Sequence, residues 1–157
     1  MRLRPLATAA AVIALAATLS SCGFEYATER EYSVNSAAEE RSGTVDVLSA
    51  VVVSAAEGSG TFVASFSNND TDEEQSFTAI SGDDGTSVEA AEFEPVTVPG
   101  DGLVNLAEPP AEIVLTGDFA AGDVLPLVID FDNGERVSLN VPVVSDDSGY
   151  WEGLDAS

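Results

Sequence analysis

The chain has 157 residues, and its 5 basic side chains stand against 28 acidic ones with no histidine, a net charge of −23. Such a surface repels phosphate backbones, which excludes nucleic acid as a partner. The absence of lysine and histidine, with a single cysteine, deprives most nucleophilic and acid–base designs of their usual parts: a serine would lack a histidine base, and the paired carboxylates sit in turns, so no catalytic residue is assigned and a non-enzyme is expected.

The first signal in chain order is for export. Arg2 and Arg4 form a positive n-region, residues 6–19 an apolar h-region of 14 residues, and Ser20-Ser21-Cys22 follows. This is the layout of a secretory signal, too short for a membrane span. The run Leu19-Ser20-Ser21-Cys22 resembles the lipobox of bacterial lipoproteins, which implies that the Cys22 thiol is diacylated and becomes the first residue of the mature chain. The alternative is a small residue at an ordinary cleavage site. One acyl chain binds a membrane only marginally, whereas two hold durably, at ~0.8 kcal/mol per buried methylene. Acylation would leave no thiol for a disulfide, a nucleophile or a metal. The expected partner of Cys22 is the lipid bilayer, at the outer face of the cytoplasmic membrane. The mature chain would keep only Arg30, Arg41 and Arg136 against the 28 acidic residues. The same charge repels anionic headgroups within a Debye length of ~8 Å, so the domain is expected to stand off the membrane that holds its end.

Residues 22–43 read as the lipidated cysteine and a flexible tether, with a reach of roughly 25 Å. Short β-branched runs between turn clusters begin at residue 44. Residues 44–55 read as a strand, followed by the turn Glu57-Gly58-Ser59-Gly60. Phe62, Ala64 and Phe66 alternate with Val63, Ser65 and Ser67, the period of a half-buried strand. An acidic loop over 68–75 precedes a strand at 76–81 and the turn Gly82-Asp83-Asp84-Gly85. Shorter strand pieces at 86–94, 95–98 and 103–106 are broken by Pro95, Pro99 and Gly100, and 112–116 is another strand. In the last hairpin, Leu127, Ile129 and Phe131 share one face, Asp132-Asn133-Gly134 turns, and Val137, Leu139, Val141 and Val143 return on one face. Pro142 places that strand near an edge or a bulge. The expected fold is all-β, an immunoglobulin-like or cupredoxin-like β-sandwich of about seven to nine strands over 44–145, preceded by the signal-peptide helix (1–21) and the tether, and followed by an acidic tail over 146–157. Phe62, Phe66, Leu127, Ile129, Phe131, Leu139 and Val141 are the core candidates.

The order of lipobox, acidic tether, "GTVDVLSAVVVSAAEGSGTFVASFSNND" and "LTGDFAAGDVLPLVIDFDNGERVSLNVPVV" resembles the Lpq-type lipoproteins of actinobacteria, relatives of the periplasmic PCu(A)C copper chaperones. The resemblance covers residues 43–145 and implies a cupredoxin-like or immunoglobulin-like sandwich. Lack of lysine alongside abundant Ala, Val, Gly and Asp agrees with a GC-rich genome. Copper transfer does not carry over. The chaperones hold Cu(I) with soft His and Met ligands, whereas this chain has no His and its only Met is Met1. The family's ligand region falls near "SVEAAEF", where Glu89 and Glu92 offer hard oxygens. No cofactor is expected.

Two other constellations bear on function. Asp70, Asp72 and Glu74 could present oxygens to Ca²⁺, but the loop lacks the central glycine and closing glutamate of an EF-hand, and a solvated acidic loop is the plainer reading. Tyr150 and Trp151 are a candidate partner-binding pair, set against a tail that folds back on the sandwich or frays. Together these features point to an envelope lipoprotein acting as a non-catalytic binding or adaptor module for an envelope protein. The alternative is a metal- or solute-handling descendant of the chaperones that uses carboxylates for a hard cation such as calcium.

Overall fold

The structure, a computed structural model, describes residues 37–157 apart from residues 84 and 148. The signal segment, Cys22 and most of the expected tether lie outside the described residues. Ten strands form the domain: β1 (Ala38–Glu40), β2 (Val45–Ser54), β3 (Ser59–Asn68), β4 (Gln75–Gly82), β5 (Val88–Ala90), β6 (Val96–Val98), β7 (Leu103–Asn105), β8 (Ile113–Gly117), β9 (Val124–Phe131) and β10 (Arg136–Ser145). Among the described residues no helix is long and apolar enough to cross a membrane.

The strands are linked into one circuit. β2 pairs antiparallel with β3 and parallel with the end of β10, and the path β3–β8–β5–β4–β9–β10 returns to β2. The all-β sandwich reading therefore holds, with closure between its layers. β1 and β7 are the two ends of the strand order, and β6 is an extra partner of β4. The count exceeds seven to nine because β1 forms inside the segment read as tether, where Ala38 and Glu40 pair with Ala50 and Val47.

All seven core candidates are buried, and Phe77 joins them at the centre. Its ring lies 5.0 Å from Phe66, 5.0 Å from Phe93, 6.2 Å from Phe62 and 6.3 Å from Phe131, all tilted contacts that suit aromatic quadrupoles. The last hairpin forms as its sequence dictates. Phe131 N–H donates to Glu135 C=O, leaving a three-residue loop in which Gly134 adopts φ +86°, a conformation that favours glycine. Pro142 sits where β10 changes neighbours: its partner is Val124 of β9, and pairing with β2 begins only at Val143. A residue without an N–H fits that junction.

β2 departs from simple alternation. Val45, Val47, Ala50 and Val52 face the main core, whereas Val51 and Val53 face a second cluster on the opposite side. The switch occurs at Ser49, which takes φ +53°, and the pairing with β3 slips there, Leu48 opposite Ser65 but Val51 opposite Val63. This is a β-bulge, one extra residue that resets which face the strand presents. The second cluster, Val51, Val53 and Val63, is covered by Val144, Trp151 and Leu154. The acidic tail of 146–157 thus lies across the outer face of β2 and β3.

Candidate functional site

Asn68, at the end of β3, organises the acidic loop. Its buried amide donates to Glu73 C=O at 2.8 Å and Val98 C=O at 3.2 Å, and its Oδ1 accepts the Asp70 N–H at 2.9 Å. Asp70 Oδ1 in turn accepts the N–H groups of Asp72 at 2.9 Å and Glu73 at 3.0 Å. Those two amide donors hold the Asp70 carboxyl below the usual carboxylate range. The carboxylate thus closes its own loop, while Asp72 and Glu74 are exposed. Among the described residues no three acidic, Cys or His side chains converge in a way that could hold a metal ion. The sequence placed Asp70, Asp72 and Glu74 together by spacing, and the structure does not bring them onto one point.

The segment where the copper ligands were sought forms β5 and the start of the irregular stretch after it. Glu89 and Glu92 are exposed, and Phe93 packs on Phe77. No His, Met or Cys lies within residues 37–157. The donor set there is hard oxygen, so a soft Cu(I) ion does not fit these residues.

The structure separates the pair Tyr150 and Trp151. A short 3-10 turn, Gly149–Trp151, carries both. Tyr150 is 96 % exposed, whereas Trp151 is half-buried against the second cluster. For Trp151 the structure shows the alternative of a tail that folds back on the sandwich, against the apolar face of β2 and β3. Between this turn and the end of β7 lies an apolar pocket lined by Val63, Ala64, Ala107, Tyr150, Trp151 and Leu154, with Ser49, Ser65 and Asn105 at its polar margin.

The chain end is fixed from several sides. Asp155 accepts the Ala55 N–H at 2.8 Å and the Thr61 hydroxyl at 3.0 Å, and Ala156 N–H donates to that hydroxyl at 2.7 Å. Asp146 Oδ1 accepts the N–H groups of Leu154 at 3.0 Å and Asp155 at 3.2 Å. Partial burial pushes the Asp155 carboxyl up, but hydrogen bonds from the Ser157 hydroxyl and amide, Ala55 and Thr61 outweigh it and hold the group below the usual range. Sequence reasoning missed this pocket because its two walls are some 90 residues apart in the chain. The one available signal was an apolar Trp151 and Leu154 in an otherwise acidic tail.

Electrostatically the surface is of one sign. The described cations, Arg41 and Arg136, are both engaged, with Glu39 at 3.3 Å and Asp130 at 2.7 Å.

No protein-family model matches the chain, and no curated relative matches it. Among solved structures, it is similar to the apo PCuAC domain from PmoF1, at a TM-score of 0.55 and 19% identity over 68% of this chain and 98% of that one. The copper-bound PCuAC domain from PmoF2 matches with a TM-score of 0.54 and 16% identity, over 68% of this chain and 97% of that one. Its apo form gives 0.54 and 15%, over 70% and 97%. The chain has the fold of a PCuAC domain. At these identities the likeness is one of fold.

Proposed function

We propose that the chain is a lipoprotein, anchored through acylated Cys22 at the outer face of the cytoplasmic membrane, whose PCuAC-like domain is a non-catalytic binding or adaptor module for an envelope protein. One observation carries the reading: the fold matches a domain that binds copper in the relative from PmoF2, yet this chain offers no His, and its only Met is Met1. With soft donors missing, what the scaffold can still offer is surface. That surface is acidic, and beside the tail it has an apolar recess. The lipobox at Leu19-Ser20-Ser21-Cys22 supports the anchor, and the Lpq-type resemblance supports the envelope setting. The alternative, a carboxylate site for a hard cation at Asp70, Asp72 and Glu74, is disfavoured by the engagement of Asp70 with its own loop.

Crosslinking in living cells, followed by affinity capture of the lipidated protein, tests the reading, with Cys22→Ala as the unanchored control. A stoichiometric envelope protein captured by the wild type and lost with the anchor is expected. Failure of the wild type to retain any specific partner would reject the adaptor role.

A further inference from the structure

β7 ends the strand order, and among the described residues its only strand partner is β3. The ladder fixes which of its backbone groups are used. Gly102 C=O accepts from Asn68 and Leu106 N–H donates to Ala64 C=O, so by the alternation of an antiparallel pair Val104 faces β3 while Leu103 and Asn105 point their N–H groups the other way. Asn105 C=O already accepts Glu108 N–H within its turn. Leu103 therefore offers both a donor and an acceptor on an open edge, and Asn105 a further donor. The Leu103 side chain is 62 % exposed; shortness is the one edge protection β7 has, at three residues, and it contains no lysine, proline or bulge.

The apolar pocket adjoins this edge, since Asn105 belongs to both β7 and the pocket margin. Strands pair at a spacing of about 4.8 Å, so an aromatic or long aliphatic side chain on a strand added beside β7 can reach over Asn105 to Val63, Ala107 and Trp151. Two residues that follow the pocket walls are exposed acids, Glu108 after Ala107 and Glu152 after Trp151, while Asp155 after Leu154 is engaged in the clasp of the tail. This charge selects among occupants. A second copy would bring a further −23, and an anionic lipid surface would bring more of the same sign.

Resting on the adaptor reading above, we propose that the open edge of β7 takes an extended, cationic segment of a partner protein by strand addition, with one large apolar side chain of that segment seated in the pocket. Main-chain bonds to Leu103 and Asn105 set its register, the pocket selects the anchor residue, and arginine or lysine on the segment complements the acidic rim.

Trp151 is the only tryptophan in the chain, so its emission reports the pocket directly. The probe is an eight-residue amidated peptide in which arginine and lysine alternate with valine around a central phenylalanine, titrated into the full lipidated chain in detergent. Saturable binding with a blue shift of Trp151 is expected. Leu103→Pro removes one outward N–H and leaves the β3 ladder intact; Ser65→Phe fills the pocket margin. Each is expected to weaken the peptide at least tenfold, with unfolding temperatures monitored alongside. A peptide with glutamate in place of its cations should not bind. Absence of saturable binding, or binding that both variants leave unchanged, overturns the proposal. In cells, a partner captured by wild type and lost from Leu103→Pro supports it. Equal capture by both rejects this site while the adaptor reading stands, and no capture by wild type rejects the adaptor reading itself.

Discussion

The Thr61 hydroxyl donates to the Asp155 carboxylate at 3.0 Å across 94 residues of sequence. Thr61 is buried on β3, and the same carboxylate takes the Ala55 amide with its second oxygen. The tail is therefore a fixed part of the domain, held by a charge-assisted clasp at its very end.

Replacing Asp155 by Asn removes the charge from that clasp and is expected to lower the unfolding temperature by about 3–6 °C, the equivalent of about 1 kcal/mol in a domain of this size. The pH dependence has a definite sign. The folded carboxyl titrates below the usual range, so its contribution is present above the unfolded pKa of about 3.9 and is lost as pH falls through the lower folded value. Wild type and Asp155→Asn should thus differ near neutrality and converge towards pH 2. A gap of equal size at both ends of that range would show that the clasp does not depend on ionisation.

Phe77 touches four other phenylalanine rings in a buried centre. Phe77→Ala should destabilise the domain by about 3–5 kcal/mol, as large-to-small changes in closed cores do. Denaturant melts measure this, and a cost below about 1 kcal/mol would mean that the centre collapses around the deletion.

Cation chemistry at the acidic loop is open to a direct check. Millimolar Ca²⁺ is expected to raise the unfolding temperature no more than an equal ionic strength of NaCl. Asp70→Asn should lower it slightly with or without Ca²⁺, because the lost interactions are with the amides of Asp72 and Glu73. A shift of several degrees specific to Ca²⁺ and abolished by Asp70→Asn with Asp72→Asn would restore the hard-cation alternative.

Cys22→Ala is expected to move the protein from the membrane fraction to the soluble extracytoplasmic fraction. Metabolic labelling with a clickable fatty acid should mark the wild type and not the variant. Label retained on Cys22→Ala would place the lipid elsewhere.

Local rules carried the sequence furthest where neighbours in the chain are neighbours in space. The hairpin of β9 and β10 is the clearest case: Leu127 and Ile129 alternate inward, Gly134 supplies the left-handed turn residue, and Val137 to Val143 return on one face. The acidic loop over 68–75 was legible as a loop, and the structure gives its first residue a structural role, since Asn68 pins the loop from inside. What stayed hidden depends on distant partners. β1 has little apolar content and forms through pairing with β2. Trp151 and Leu154 look like stray apolar residues until Val51, Val53 and Val63 are placed beneath them. Outward-facing Val63 reads as ordinary alternation in a half-buried strand, and only the covering tail makes both faces dry.

The turn of phase at Ser49 has a consequence for how this gene can change. On either side of it β2 obeys opposite inside–outside rules, Val45 and Val47 before it and Val51 and Val53 after it. Swapping Ser49 for Gly keeps both rules and suits the positive φ. Losing or gaining one residue there would turn half the strand inside out, so this position tolerates spelling changes but not frame-preserving insertions or deletions.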